Sequence, residues 1–150
     1  MLNPTAAILI IGDEILSGRT RDSNMHYLSC ELTKIGIDLQ EARFIPDNAA
    51  KIIDDVRCLS SKYDYVFTSG GIGPTHDDIT ADCIAAAFET KISIREDAFK
   101  LLENYYSEQN IDFNSARQRM ARIPNGAKLI DNPISVCLLY TSPSPRDTRE

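Results

Sequence analysis

The chain has 150 residues, of which 43% are hydrophobic and 25% charged, enough for one globular domain with a buried core. Its net charge of −6 argues against a nucleic-acid partner, because binding a phosphate backbone relies on clustered Lys and Arg. No basic and apolar leader opens the sequence, and no apolar run reaches the length of a membrane span. These features favour a cytoplasmic protein whose partner is a small molecule.

The cysteines do not indicate a metal or disulfide framework. Cys30, Cys58, Cys83 and Cys137 show no C-x-x-C spacing, and three of them lie within apolar helical patterns. They are therefore predicted to be buried thiols of a protein in a reducing compartment.

The first half of the chain alternates short apolar runs with amphipathic segments. The predicted elements are, in order, a strand over 6–11, a polar loop over 12–24, a helix from Asp22 or Ser23 to Gly36, a strand over 39–45, a helix from Pro46-Asp47 and a strand over 64–69. The run AAILII at 6–11 is almost wholly apolar, which is typical of a central strand covered on both faces.

The second half predicts further helices around a short strand at Ile92 and Ile94. One helix follows the glycine-rich segment near residue 78, and a short one spans about 115–122. Between them a helix from Glu96 to Gln109 is expected to turn four residues inward, namely Ala98, Leu101, Leu102 and Tyr105. Three successive strand–helix units predict an α/β fold with a mainly parallel sheet and helices on both faces.

Ligands of such sheets bind outside the carboxyl ends of the strands. The loops 12–24, 45–48 and 70–78 all follow strands and carry most of the polar residues near them. We therefore expect these three loops to converge on one crevice.

The segment from Thr68 to Thr80, TSGGIGPTHDDIT, is the most informative of these loops. Its three glycines, Gly70, Gly71 and Gly73, can adopt positive φ and present backbone N–H groups to an anion. Asp77 and Asp78 are predicted to open a helix whose macrodipole favours a phosphate or diphosphate. The combination predicts metal-assisted phosphate chemistry. A structural alternative is that Thr75 and Asp78 form a capping box.

Three other motifs are disfavoured. A Rossmann fingerprint would need a third glycine where this chain has PTHDD, and it normally follows the first strand of the sheet. A P-loop would need a Gly-Lys-Ser/Thr sequence, which this segment lacks. A nucleophilic Ser69 would need a base; His76 is the only nearby imidazole, and no G-x-S-x-G elbow is present. His76 is retained as a candidate ligand contact, whereas His26 is expected to face solvent or to pack.

The last fifteen residues do not follow the pattern of the domain. After NPIS the sequence VCLLYTSPSPRDTRE offers no periodicity and contains Ser-Pro repeats. Residues 136–150 are predicted to be disordered, and they resemble a translated sequencing adapter, a non-native tail. The alternative is an authentic linker to a second domain. The domain itself is taken as residues 1–135.

Four motifs together carry a family resemblance: GDEILSG at 12–18, the D-x-N of Asp22 to Asn24, IPD at 45–47, and the segment 68–80. Over about residues 5 to 135 the chain resembles the MoaB/Mog molybdopterin-binding domain. Within that superfamily it is most similar to the amino-terminal domain of competence/damage-inducible protein A (CinA) and of eukaryotic FAD synthases. The resemblance implies a three-layer α/β/α fold, often trimeric, that binds molybdopterin or nucleotides at the glycine-rich loop.

The resemblance also implies functional residues. Asp47 and Asp78 match the two aspartates of the adenylyltransferase branch, and both are predicted to be catalytic and to hold a divalent metal, Mg²⁺ or a transition metal. The remaining candidates share a position in the loops, and the phosphate- or ligand-binding set is Gly12, Asp13, Ser69, Gly70, Gly71, Gly73, Thr75 and Asp77. Glu14 adds a further carboxylate at the same crevice.

The THDD variant and the GDEILSG opening favour the CinA and FAD synthase branch. For that branch the resemblance implies a metal-dependent pyrophosphatase, a hydrolase of phosphoanhydride bonds in nucleotides such as ADP-ribose or FAD. The alternatives are a molybdopterin adenylyltransferase-like role in molybdenum cofactor biosynthesis and a non-catalytic molybdopterin- or nucleotide-binding module.

The chain departs from the family pattern at its carboxyl end. Family members continue past the Asn-Pro segment into another Gly/Pro-rich substrate loop, a strand and a helix, where this sequence has residues 136–150. We therefore expect a C-terminally truncated fold and reduced or absent turnover by this polypeptide.

Overall fold

The computed structural model describes residues 2–132 and 139–143. The chain divides into two compact units, one up to Gly71 and one from Ile72 onward. Each unit is described separately. The first contains the parallel sheet and most of the polar loops singled out above.

The first unit alternates strands and helices. Its elements are β1 (Thr5–Ile11), α1 (Asp13–Leu16), α2 (Asn24–Lys34), β2 (Asp38–Ile45), α3 (Ala49–Lys62) and β3 (Tyr65–Ser69). The strands form one parallel sheet in the order β2-β1-β3, with Ile11 opposite Ile45 and Ile10 opposite Ser69. The predicted α/β fold with a parallel sheet is confirmed.

β1 is the core of this unit. Every residue from Ala6 to Ile11 is at most 2% exposed, as the unbroken apolar run predicted. Burial of one such Ile or Leu side chain stabilises the fold by about 1.5–3 kcal/mol. The chain passes from β1 to β2 and then back across β1 to β3. Because such crossovers are almost always right-handed, this order is the one that puts α2 and α3 on opposite faces of the sheet. Parallel α/β sheets commonly bind ligands where the strand order reverses in this way, at the carboxyl ends of the strands.

Two local predictions in this unit are wrong. The segment after β1 begins with the short helix α1 instead of being loop throughout. α3 does not start at Pro46-Asp47, because the side chain of Asn48 caps it by accepting the backbone N–H of Lys51 at 3.0 Å. Asp47 is thereby left outside the helix, and its carboxylate is available for another contact.

An ion-pair network ties β2 to α3. The Arg43 guanidinium donates to Glu41 at 2.6 Å and to the buried Asp55 at 2.9 Å. The Tyr63 hydroxyl donates to Glu41 at 2.7 Å. This hydrogen bond and that of Arg43 lower the pKa of Glu41 to about 2. The network fixes the edge strand whose carboxyl end carries Asp47.

The prediction of buried thiols is wrong for two of the three cysteines that the structure describes. Cys83 is buried, and burial raises the pKa of its thiol, but Cys30 and Cys58 are exposed. Cys58 lies on the polar side of α3, where its sulfur accepts from Arg43 at 3.5 Å. Cys137 falls outside the residues that the structure describes.

The second unit is built from short elements. These are α4 (Thr80–Ala87), β4 (Ile92–Ile94), α5 (Glu96–Glu108), α6 (Ser115–Gln118), a 3₁₀ turn (Arg119–Ala121), β5 (Arg122–Pro124), β6 (Lys128–Ile130) and β7 (Leu139–Thr141). β4 pairs with β5 and β6 with β7, both antiparallel. One apolar cluster forms the core, and its buried members are Ala98, Leu102, Tyr106, Met120, Ala121 and Ile123.

Two expectations for this unit need correction. α5 turns Ala98 and Leu102 inward as predicted, but Leu101 and Tyr105 are 55% and 37% exposed and Tyr106 is buried instead. Leu139–Thr141, within the tail expected to be disordered, forms β7 because it pairs with β6. The other residues of 136–150 lie outside the described part, apart from two that follow β7.

Across the described ranges, no helix combines the length and the apolar character needed to cross a membrane.

Candidate functional site

The carboxyl edge of the sheet in the first unit begins where β1 ends. The backbone N–H of Gly12 donates to the carbonyl oxygen of Ile45 at 3.0 Å, which extends the β1–β2 pairing by one residue. α1 then starts at Asp13, and on the neighbouring strand Pro46 and Asp47 follow the end of β2. Two predicted site residues from different loops therefore lie next to each other.

Asp13 and Asp47 exchange hydrogen bonds. The backbone N–H of Asp13 donates to Oδ2 of Asp47 at 3.1 Å, and the N–H of Asp47 donates to Oδ1 of Asp13 at 3.2 Å. Each carboxylate thus uses one oxygen to fix the other residue. Among residues 2–132 and 139–143, the second oxygens, Oδ2 of Asp13 and Oδ1 of Asp47, have no hydrogen bond of their own and remain for a ligand or a metal ion.

Gly70 closes the opposite side of this edge, after β3. Its φ is 101°, and a Cβ built there would lie 2.0 Å from the carbonyl oxygen of Ile11. Only glycine fits, because any side chain would overlap the end of β1. Gly71 also has positive φ, 68°. The predicted glycine turn therefore packs at the point where the order of the strands reverses.

Asn24 links the start of α2 to the end of β3. Its side-chain amide donates to Oγ of Ser69 at 2.6 Å. Asp22 fixes the backbone there, because its carboxylate accepts the N–H groups of Asn24 and Met25 at 3.2 and 3.1 Å. The sequence motif contained Asn24 but gave it no role. The available signal was a short side-chain amide two residues after an aspartate at the start of a helix.

In the second unit, Thr75 and Asp78 close a turn of their own. Oδ2 of Asp78 accepts the backbone N–H of Thr75 at 2.9 Å and its hydroxyl at 2.7 Å. The N–H of Asp78 donates back to the carbonyl oxygen of Thr75 at 3.1 Å. This resembles half of a capping box, but it belongs to a separate turn, and α4 begins only at Thr80. The prediction that Asp77 and Asp78 open the helix is wrong.

Gly73 supports this turn by its lack of a side chain. All three glycines of the segment were expected to be able to adopt positive φ, but Gly73 does not do so. A Cβ on Gly73 would lie 2.9 Å from Oδ2 of Asp78, so glycine leaves room for the carboxylate. One oxygen of Asp78, Oδ1, carries no intramolecular hydrogen bond in the described residues.

His76 and Asp77 project into solvent at the tip of the turn. Nε2 of His76 lies 3.3 Å from a carboxylate oxygen of Asp77, and both side chains are more than 80% exposed. In the first unit, Oγ of Ser69 accepts from the side-chain amide of Asn24.

The carboxylates present suit a metal ion that also binds the substrate. Among residues 2–132 and 139–143, no group of three or more His, Cys, Asp or Glu side chains could hold a metal by itself. Mg²⁺ is commonly held by one or two carboxylates together with water and substrate phosphates. Within the described part of the first unit, Asp47 retains one carboxylate oxygen without a hydrogen bond, which fits a metal ion that is shared with a substrate and not a closed structural metal site.

A groove of about 550 Å³ lies in the first unit beside the loop 17–23. Ile15, Met25 and Phe44 contribute apolar surface, and Arg21 and His26 contribute polar groups. Its volume is in the range of small-molecule sites. Asp22, which holds the backbone of Asn24, also lines it.

Comparison with known proteins identifies the family. Residues 7–138 match the family described as "Probable molybdopterin binding domain". The chain belongs to this family, which confirms the resemblance seen in the four motifs.

Similar proteins come from several organisms. The chain is 37% identical over 139 residues to a "Probable FAD synthase" of Caenorhabditis elegans, covering 84% of this chain and 27% of that protein. It is 33% identical over 129 residues to a "CinA-like protein" of Sulfurihydrogenibium sp., covering 86% of this chain and 32% of that protein. The chain thus spans about a third or less of these two relatives.

A solved structure agrees with the fold. The CinA protein of unknown function from Thermoplasma acidophilum superposes with a TM-score of 0.84 at 30% identity, covering 92% of this chain and 80% of that one.

Proposed function

We propose that the domain binds the diphosphate of a nucleotide at its glycine-rich turn and, with a divalent metal ion, hydrolyses the phosphoanhydride bond, so that water adds to one phosphorus and the other phosphate leaves. The observation that carries this proposal is the edge of the first unit. There the Ser69–Gly71 turn and the carboxylate of Asp47 flank the end of β1. The substrate class is a nucleoside diphosphate derivative such as ADP-ribose or FAD.

Phosphate binding is supported by the local backbone. Gly70 can approach β1 closely only because it has no side chain. Ser69 adds a hydroxyl beside it, held by Asn24. Turns of this kind, at the carboxyl edge of a parallel sheet, are common anion sites. Gly12 and Asp13 border the same edge.

Asp47 is proposed to hold the metal ion at the edge of the first unit, and Asp78 remains the second metal ligand that the family resemblance implies. When bound, such an ion offsets the charge that develops on the phosphoryl oxygens. The protein's part is orientation: the N–H of Asp13 fixes one oxygen of Asp47, and Thr75 fixes one oxygen of Asp78. Each carboxylate therefore presents its other oxygen without a further loss of side-chain freedom.

The groove beside α2 is proposed to take the base or the pterin ring. Its apolar residues, Ile15, Met25 and Phe44, offer contact area for a flat heterocycle. Arg21 and His26 offer polar contacts that would fix the ring's orientation.

Calorimetry with ADP-ribose, with and without MgCl₂, tests the proposal. We expect saturable binding that tightens with Mg²⁺, and AMP release measured with protein in excess over substrate. Asp47→Asn and Asp78→Asn should keep the Mg²⁺-free affinity and lose the tightening, about tenfold. AMP release should fall by about 10²-fold or more. Asp54→Asn, an exposed aspartate of α3, is the matched control and should change neither quantity.

Two outcomes would favour other functions. Binding of ADP-ribose that Mg²⁺ does not tighten would indicate a non-catalytic binding module. The family description favours molybdopterin as a second ligand to test. Transfer of AMP from ATP to molybdopterin, with no cleavage of ADP-ribose, would indicate the adenylyltransferase-like alternative.

A further inference from the structure

In the hydrogen bond between Asn24 and Ser69, Asn24 is the donor and Ser69 is the acceptor. The side-chain amide nitrogen of Asn24 donates, and Oγ of Ser69 accepts, at 2.6 Å. A serine hydroxyl has one hydrogen to donate and two lone pairs that accept. Because the amide occupies an acceptor position of Ser69, the hydroxyl hydrogen remains for another group. No acceptor for it is found among the described residues.

The position of Asn24 is itself fixed. The carboxylate of Asp22 accepts two successive backbone N–H groups, those of Asn24 and Met25. This holds Asn24 at the first turn of α2, from where its side chain reaches β3, 45 residues further along the chain. The loop before α2 therefore holds the amide of Asn24 against the end of β3.

We propose that Asn24 is a positioning residue: it sets the polarity of the Ser69 hydroxyl so that this hydroxyl donates its hydrogen to an anionic phosphate oxygen of the ligand. The inference rests on the proposed function, because it assigns that ligand to the Ser69–Gly71 turn. It gives Asn24 a role in ligand affinity in addition to its link between α2 and β3.

A purely mechanical link between Asn24 and Ser69 makes the opposite prediction for one substitution. Asn24→Asp keeps the size of the side chain, but a carboxylate can only accept. Ser69 would then donate to it, so the link survives while the hydroxyl turns away from the ligand. Asn24→Ala removes the link and leaves the hydroxyl able to rotate toward the ligand. If Asn24 serves only to link α2 to β3, Asn24→Ala should weaken ligand binding more than Asn24→Asp. If Asn24 orients the Ser69 hydroxyl, Asn24→Asp should weaken ligand binding more than Asn24→Ala.

The test measures the dissociation constants of ADP-ribose and of inorganic pyrophosphate for the whole chain by calorimetry. We expect Ser69→Ala to weaken binding about tenfold, Asn24→Ala about threefold and Asn24→Asp more than tenfold. The new charge of Asn24→Asp also repels the anion. The double variant Asn24→Asp with Ser69→Ala isolates that repulsion, and its loss should be smaller than the product of the single losses.

Each result decides the question. The inference would be overturned, and the proposed function left intact, if the Asn24→Asp variant bound the ligand as tightly as the wild type or more tightly than the Asn24→Ala variant. Fully multiplicative losses in the double variant would also overturn it. No binding by the wild type would overturn the proposed function and the inference together. Asn24 is exposed, so these variants should stay folded, and circular dichroism of each variant checks this.

Discussion

Asp13 and Asp47 hold each other in place: each carboxylate accepts the backbone N–H of the other residue, at 3.1 and 3.2 Å. The two residues follow neighbouring parallel strands, so the exchange joins two loops that are 34 residues apart in sequence. It also removes rotational freedom from both carboxylates before any ligand binds. Two negative charges fixed side by side favour the approach of a cation.

The first prediction separates the hydrogen bond of Asp13 from its charge. Asp13→Ala leaves the N–H of Asp47 without its acceptor, so exchange of that amide with solvent should accelerate about tenfold or more. Asp13→Asn keeps an acceptor oxygen and should protect the amide nearly as well as the wild type. NMR-detected hydrogen exchange measures both. Equal acceleration in the two variants would contradict the proposed hydrogen bond.

The second prediction concerns the steric demand at Gly70. Gly70→Ala would place a Cβ 2.0 Å from the carbonyl oxygen of Ile11 in addition to the strain of positive φ. We expect destabilisation of about 3 kcal/mol or more, or failure to fold. Gly18→Ala is the matched control: its φ is also positive, 80°, but no atom lies within 4 Å of the new Cβ. It should cost about 1–2 kcal/mol in urea unfolding. Similar costs for the two variants would refute close packing of Gly70 on β1.

The third prediction tests the Thr75–Asp78 turn. Gly73→Ala would bring a Cβ within 2.9 Å of Oδ2 of Asp78, so the carboxylate must shift away from Thr75. The expected loss in unfolding free energy is about 1 kcal/mol, the worth of the hydrogen bonds that are disturbed. In an Asp78→Ala background the same change should cost little. A double-mutant cycle in urea measures this coupling, and additive costs would argue against the contact.

The fourth prediction is the pH dependence of the β2–α3 network. The hydrogen bonds from Tyr63 and Arg43 lower the pKa of Glu41 from 4.5 to about 2. A lowered pKa means that the ionised form stabilises the fold above pH 4.5 and that this stabilisation disappears as pH falls toward 2. The stability difference between wild type and Glu41→Gln should therefore be constant above about pH 5 and shrink between pH 4.5 and 2.

Denaturant unfolding over a pH series measures this difference. Glu31, which pairs with Lys34 on the exposed side of α2, provides the control. Glu31→Gln should change stability little at any pH, because exposed pairs contribute little. A flat difference for Glu41→Gln across the acid range would contradict the network.

The apolar patterns of the sequence predicted the parts of the fold that depend on local periodicity. The run from Ala6 to Ile11 is the central buried strand, and the amphipathic segments on either side of β2 are helices. Gly70, the first glycine after β3, lies against the end of β1 as expected at the carboxyl edge of a parallel sheet. Physical constraints visible within one segment were sufficient for these features.

The features that the sequence did not predict depend on distant partners. Asp47 stays outside α3 because Asp13 engages it and Asn48 caps the helix instead. Tyr106 replaces Tyr105 in the core of the second unit because residues such as Met120 and Phe113 pack against it. No local pattern contains such information.

The same limit applies to the tail and to Asn24. Leu139–Thr141 forms a strand because β6 offers a partner, not because its own sequence is periodic. The role of Asn24 depends on Ser69, which lies 45 residues away. The assignments of Asp47 and Asp78 to a metal ion come from the family resemblance and stay predictions.

The central claim, that the carboxyl edge of the first unit binds a nucleotide diphosphate, is tested most directly by an NMR titration of the ¹⁵N-labelled chain with ADP-ribose and MgCl₂. Saturable shifts should appear first at backbone amides of the proposed site, namely Gly12, Asp13, Asp47, Gly70 and Gly71. Shifts confined to other surfaces, or none at millimolar ligand, would contradict the claim.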